Sequence, residues 1–429
     1  MRILFVNHTS AASGAEFALM RLISGVRRKH HVAVACPATG PLPDLLDAAA
    51  VQHVPIPGFE ASLRLDPIHT PLNLGRLAVG GISLARAARR FDADILHANT
   101  PRAGLMGAMA TRLGGPPLIV RAHEHVPLSM VGRGVLGVLG RSADAIVTVS
   151  QEIERRFNAS LSRPVAIHVY NSFDRERFDP GRVEPSLVRE ELGIAPTSPL
   201  LGQVAQITPW KALDTSIRAL AQMHEQGLDA HLLIVGNIAF SGKGVRYDNE
   251  GYLRELHGLV RELSLEDRVH FLGQRGDVPG ILRELDLSLL PSWDEPFANV
   301  MLESMAMGTP LLVSSVGGGP ELVEDGITGR VLPPRQPDLW ASAAEGLLRD
   351  REELDHMGAR ARAVTVNFSD ELHARDMLNI YEHVLAQPKA APAALPTPPL
   401  GTIRADRESH GRFRRGERSD DSPLARTGR

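Results

Sequence analysis

Two carboxylates eight positions apart, Glu295 and Glu303, stand in PSWDEPFANVMLESMAMGTPLLVSSVGGGPELVE, residues 291–324. Pro296 and the apolar pattern of Val300, Met301, Met305 and Ala306 predict a helix that begins near residues 297–299. Eight residues of helix rise ~12 Å, which puts Glu295 at a mouth and Glu303 deeper along one side. Between them the helix start offers backbone N–H groups without partners and a partial positive charge. That arrangement suits a nucleotide sugar, with sugar hydroxyls near Glu295, a diphosphate over the helix start and ribose hydroxyls near Glu303. The run Ser315-Val316-Gly317-Gly318-Gly319-Pro320-Glu321 is a second glycine-rich loop opening a helix, with Pro320 suited to its first turn.

The elements that must hold these residues are short apolar runs at 3–6, 32–36, 95–97, 118–120, 145–149 and 165–169, then at 200–204, 230–235, 269–272, 287–290 and 310–313. Helical patterns lie between most of them. Continuous apolar strands alternating with helices mean parallel sheets covered on both faces. One sheet of eleven or more strands is improbable, so the fold class is α/β, with two doubly wound Rossmann-like domains facing across a cleft. We place the first at 1–175 and the second at 199–368, joined through a stretch carrying Pro180, Gly181, Pro185, Pro196 and Pro199. A last helix at 369–386 has the option of packing back on the first domain. Residues 387–429 are proline- and alanine-rich, then charged, and read as a disordered, solubilising tail.

Ligands of open parallel sheets bind beyond the carboxyl ends of the strands. Asn7, His8, Gly14 and Glu16 fall there, as do His97, Asn99, His123, Ser150 and Asn171; in the second half Gly236, Gly273, residues 291–295 and residues 314–319 do so. His97 is equally well explained as a satisfied strand-end histidine. Asp92-Ala93-Asp94 has an Asp-x-Asp pattern, but it precedes its strand and so lies at the wrong end for a metal site. His123-Glu124-His125 lacks a third strong ligand nearby. No metal and no cofactor are expected.

The chain has 429 residues, 43% hydrophobic and 23% charged, with a net charge of −3. No global basic field points to nucleic acid. Cys36 is the sole cysteine and reads as a small buried residue, so an internal disulfide is excluded. Lys29, Lys211, Lys243 and Lys389 are the only lysines in an arginine-rich chain. The N-terminal apolar run is too short for a signal peptide, and no run reaches the ~18 apolar residues of a spanning helix. A soluble, cytoplasmic protein is expected. Residues 82–91, with Arg86, Arg89 and Arg90, and residues 128–141 read first as helices with one solvated face, and their composition would also suit contact with an anionic inner membrane face. Nothing in the sequence sets an oligomeric state.

Glu295, Pro296, Phe297, Glu303, Met305, Ala306, Gly308 and Pro310 together resemble the hallmark of the retaining glycosyltransferases of family 4, which have the GT-B fold. Seven further blocks, in order, resemble that family: SGAE at 13–16, ADILHANT at 93–100, RAHEH at 121–125, ADAIVTVSQ at 143–151, NSFDRERF at 171–178, PWKALD at 209–214 and DRVHFLGQ at 267–274. The resemblance covers about residues 1–385. It implies transfer of a sugar, with retention and without a metal, from a nucleotide-sugar donor to a carbohydrate, lipid-linked or small-molecule acceptor, in cell-surface glycan, polysaccharide or glycolipid synthesis. Lys211 would hold the donor diphosphate, with Glu295 and His123 as the other catalytic residues. Glu303 would bind ribose and Glu295 the transferred sugar. The backbone of Phe297, Ala298, Asn299 and Val300 would cradle the distal phosphate and sugar. Gly14 would let the N-terminal loop approach the diphosphate, Gly236 would lie on the donor side, and Gly273 and Arg275 would line the base. His97, Asn99 and His123 would face the acceptor.

The sequence departs from the family at Gln206, where an arginine is usual, at Ala212 and Ala298, where glycines are usual, and at Asn99, where many relatives have histidine. Residues 237–252, with Lys243, Arg246 and Tyr247, form a long connection that either covers the donor or simply moves. Two other readings stand beside the transferase: a nucleotide-sugar epimerase of the same shape, and a non-catalytic two-domain sugar-binding protein.

Overall fold

A computed structural model describes residues 1–58, 69–162, 165–239 and 246–387. The apolar runs form two all-parallel sheets. The first contains β1 (Arg2–Val6), β2 (His31–Cys36), β3 (Gln52–Pro55), β4 (Ile95–Ala98), β5 (Leu118–Ala122), β6 (Ala145–Thr148) and β7 (Ala166–His168), in the order β3-β2-β1-β4-β5-β6-β7. The second contains β8 (Leu200–Val204), β9 (His231–Val235), β10 (Val269–Gly273), β11 (Leu287–Leu290), β12 (Leu311–Ser314) and β13 (Gly329–Leu332), in the order β10-β9-β8-β11-β12-β13. Among the described residues, no helix is long and apolar enough to cross a membrane.

In both sheets the strand order reverses beside the first strand, between β1 and β4 and between β8 and β11. Crevices for ligands open at such switch points. Asn7 and His8 leave β1, and Asn99 leaves β4; Gln206 and Lys211 leave β8, and residues 291–295 leave β11. The topology therefore sets two polar rims at the four strand ends best placed to hold a ligand. Asp92 and Asp94 sit at the opposite end of β4, where Asp94 accepts the Arg2 N–H at 2.7 Å.

The edge strands β3 and β13 escape a reading based on buried apolar runs, because their sequences, QHVP and GRVL, are only partly buried. The helix Asp370–Ala386 inserts Ala374, Met377, Ile380, Tyr381 and Val384 into the core formed by Ile3, Phe5, Leu19 and Ile23 of the first lobe. Gly25 permits that packing: a Cβ there would lie 2.6 Å from the Ala374 Cβ. The tail from 388 onward and Lys243 lie outside the described residues.

The predicted helix runs from Asn299 to Met307. Glu295 precedes it in a loop, since a residue before proline is biased away from helical backbone. The helical stretch separating the two carboxylates is thus only Asn299 to Glu303, about half the rise expected of eight helical residues.

Candidate active site

Lys211 ends a short 3₁₀ turn, Pro209–Lys211, that follows β8. The turn is pinned from the β11 side: Trp293 Nε1 donates to the Pro209 carbonyl at 3.0 Å, and the Trp293 N–H donates to the Trp210 carbonyl at 3.0 Å. Gln203 Nε2 donates to the Lys211 carbonyl at 2.8 Å. Ala212 then adopts φ +52°, a left-handed conformation that costs a non-glycine residue about 1 kcal/mol and accounts for glycine being usual there.

The Lys211 ammonium lies 4.1 Å from the centre of the Trp210 ring and forms an ion pair with Glu295 Oε2. Ser292 Oγ donates to the same oxygen at 3.0 Å. Both charged side chains are nearly buried, at 12% and 6% exposure. Lys211 and Glu295 were expected to grip separate parts of a ligand, and here each neutralises the other at one point.

Beside the pair, Ala298 at the N-cap makes no side-chain capping bond to the helix Asn299–Met307, so the first N–H groups of that helix carry the positive end of the dipole. Phe297, Ala298 and Val300 turn their side chains inward, at 5–8% exposure, which leaves backbone as their contribution to a ligand. Gly14 begins the helix Gly14–Val26 directly opposite: Asn299 Nδ2 donates to its carbonyl at 3.2 Å, and Asn171 Nδ2 donates to Asn299 Oδ1 at 3.0 Å. Asn299 thus links two helix N-termini, one from each lobe.

Glu303 sits one turn into the same helix. Burial pushes its carboxyl above the ordinary glutamate range, while Arg21 and Arg177 pull it down and Asp174 pushes it up. The glycine loop below Glu295 is obligatory: Gly317 has φ +67°, and a Cβ there would lie 1.6 Å from the Glu295 carbonyl oxygen. At the end of β9, Gly236 has φ +144°, its N–H donates to the Gly273 carbonyl at 2.8 Å, and a Cβ on it would lie 2.0 Å from the Ala205 carbonyl beside half-buried Gln206. Arg275 is already engaged, bidentate to Asp277 and paired with Glu191 at 2.8 Å.

Two of the three residues expected to face an acceptor are buried. His97 is fully buried behind β4, with Nδ1 hydrogen-bonded to the Tyr381 hydroxyl at 2.6 Å, and its ring is out of an acceptor's reach. Burial, aided by Arg121, drives its pKa down to about 3. Asn99 is 1% exposed and acts on its neighbours: its amide donates to Asn7 Oδ1 at 3.2 Å, and its Oδ1 meets His123 Nε2 at 3.3 Å. His123 itself is half-buried at the rim, and burial with Arg121 nearby holds it neutral, well below the usual histidine range. The three residues 123–125 face three different partners, since Glu124 pairs with Arg102 at 2.6 Å and His125 with Asp294 at 2.9 Å.

Sequence reasoning gave Asp294 no partner within 291–295, did not pair Asn171 with Asn299, and passed over Arg21, whose Nε and Nη2 are buried without a hydrogen-bond partner among the described residues. Arg21 lies mid-helix on α-helical spacing that looks like any solvated face, so no local signal marks it.

The profile of "Glycosyltransferase Family 4" matches residues 12–177, and that of "Glycosyl transferases group 1" matches residues 186–364. A D-inositol 3-phosphate glycosyltransferase of Nocardia farcinica is 33% identical over 316 residues, 68% of this chain and 67% of that protein. One from Saccharomonospora viridis is 27% identical over 371 residues, 81% and 82% of the two chains. Among solved structures, Anabaena Alr3699/HepE in complex with UDP and glucose superposes with a TM-score of 0.77 at 25% identity, over 89% of this chain and 100% of that one.

Proposed function

The chain belongs to family 4 of the glycosyltransferases, and from that premise we propose that it moves a hexosyl group from a nucleoside diphosphate sugar to a hydroxyl acceptor. The reading is carried by one observation: the Lys211–Glu295 pair stands beside the uncapped start of the helix Asn299–Met307. In the transfer, the bond between the anomeric carbon and the distal phosphate oxygen breaks. The sugar gains oxocarbenium character and the pyrophosphate gains negative charge. Donors already aimed at that charge lower the barrier. Lys211 exchanges the Glu295 oxygen for a phosphate oxygen, the helix N–H groups meet a second one, and Glu295 is released to accept a sugar hydroxyl. These groups meet the leaving charge without calling on a metal.

Glu303 accepts from the ribose hydroxyls. Neutral His123, oriented by Asn99, contacts the sugar on the acceptor side. Retention follows if the acceptor oxygen attacks from the face the pyrophosphate is leaving, its proton passing to the departing phosphate oxygen. Gly236 and Gly273 give the base room, and Arg275 stiffens that loop through Asp277 and Glu191. Because Gln206 brings no cation, Lys211 carries more of the diphosphate charge.

We propose UDP-glucose as the first donor to test, since the Anabaena structure holds UDP and glucose. The acceptor is read as a growing glycan or glycolipid, presented at the cytoplasmic membrane face. Leu128, at 67% exposure on the loop after His123, and Met130, at 73% exposure at the start of the helix Met130–Ser142 that carries Arg133, support this. A thermal-shift and calorimetric screen of nucleoside diphosphates and their sugars tests the donor reading; failure of every one to bind refutes it. Co-sedimentation with phosphatidylglycerol vesicles, lost in Leu128→Ser/Met130→Ser, tests the membrane reading; equal sedimentation of that variant refutes it.

A further inference from the structure

We propose that Glu321 is a positioning residue that clamps the two lobes around the site by capping a helix of the opposite lobe. Its carboxylate takes the N–H of Gln151 on Oε2 at 2.8 Å and the N–H of Glu152 on Oε1 at 2.8 Å. Those residues open the helix Gln151–Ser160. The first N–H groups of a helix have no acceptor within it, and a carboxylate at that end also meets the dipole's positive charge. Ser150 already serves the Ile153 N–H further along, so Glu321 satisfies the groups the local cap leaves over. Tyr170 adds its hydroxyl to Oε2 at 3.0 Å and is itself held by Gln151 Nε2 at 2.8 Å.

The clamp is joined to the catalytic loop. Glu321 ends the glycine run that starts beneath Glu295, where the Gly318 N–H donates to the Glu295 carbonyl at 3.1 Å. A Cβ on Gly318 would lie 2.8 Å from the Pro296 carbonyl and 3.5 Å from the Ser150 Cβ, so this loop is the spacer between Glu295 and the first lobe. Tyr170 packs against Phe297 with tilted rings 5.9 Å apart, and Phe297 leads into the phosphate-facing helix. Capping from across the cleft therefore fixes lobe closure and the seat of Glu295 together. The proposal rests on the reading that transfer takes place in this cleft.

Amide exchange by mass spectrometry reads the clamp directly. The Gln151 and Glu152 amides are protected in the wild-type chain and lose roughly 10- to 100-fold of that protection in Glu321→Ala, the range expected for charge-assisted hydrogen bonds. Gln151→Pro is the second variant, useful if Glu321→Ala folds poorly. Proline suits the first helical position, and Ser150 already has the extended backbone a pre-proline residue needs, with φ −154° and ψ 161°. It deletes one clamped N–H, so the Glu152 amide and turnover of UDP-glucose should change as in Glu321→Ala, and the two changes together should not add. Turnover falls about tenfold or more while UDP affinity stays within about twofold, because the nucleotide binds the second lobe. Unprotected Gln151 and Glu152 amides in the wild type, unchanged turnover in both variants, or a parallel loss of UDP affinity would each overturn the clamp. Failure of the wild type to bind UDP would instead strike the donor reading and leave the exchange result standing.

Discussion

Replacing Lys211 with methionine separates two quantities that the ion pair binds together. The ammonium and Glu295 share a nearly buried point, with Ser292 as the only other hydrogen-bond partner described for that oxygen. At an effective dielectric of ~20, a unit charge ~4 Å from another is worth ~4 kcal/mol. If that interaction is transferred to the leaving pyrophosphate, its loss slows turnover by about three decades. Folding suffers as well, because Glu295, only 5% exposed, is left as an uncompensated charge. Breaking a buried pair from one side costs ~3–5 kcal/mol. Adding Glu295→Gln to Lys211→Met removes the stranded charge, so the double variant regains most of the stability and none of the turnover. Urea unfolding and release of UDP from UDP-glucose measure the two effects. A single variant that turns over within about fivefold of wild type, or a double variant that regains activity, would refute the role given to Lys211.

Glu303→Gln should weaken UDP about tenfold through the ribose hydroxyls. The same carboxyl sets an acid limb: since its pKa is raised, the carboxylate is present above that value and lost as pH falls through it. UDP affinity, followed by calorimetry, should decline from a pH above the ordinary glutamate value of ~4.3, and the variant should lack that decline. Gly317→Ala should destabilise by several kcal/mol and abolish turnover, because its Cβ would enter the Glu295 carbonyl; thermal unfolding and UDP release check both. His97→Phe should cost about 1–2 kcal/mol through the lost Tyr381 hydrogen bond while leaving the acceptor KM unchanged, as a buried residue behind the sheet must.

The buried parallel strands were legible because each is a short apolar run read between helical patterns; the run at 3–6 ends with β1 at Val6, while those at 95–97 and 118–120 stop just short of Ala98 and Ala122, where β4 and β5 end. β3 and β13 were not, since an edge strand such as Gln52–Pro55 buries too little to show in composition. Glu295, Glu303 and Lys211 stood out through spacing and through the rarity of lysine. The contact between Lys211 and Glu295 did not, because it depends on how Trp293 pins the Pro209–Lys211 turn against the β11 loop. His97 was ambiguous for a physical reason: a strand-end histidine faces either the cleft or the neighbouring helix, and Tyr381, far along the chain, decides the matter. The bonds that Glu321 makes across the cleft were invisible in the same way, as both of its main partners are backbone N–H groups whose side chains carry no signal.

The central claim is that Lys211 and the start of the helix Asn299–Met307 jointly receive the pyrophosphate. A crystal structure with UDP bound tests it most directly. With UDP bound, Lys211 Nζ should be withdrawn from Glu295 and lie within ~3 Å of a distal phosphate oxygen, with that phosphate also on the N–H groups at residues 299–300. UDP seated in the cleft with Lys211 still on Glu295, and its phosphates away from that helix, would contradict it.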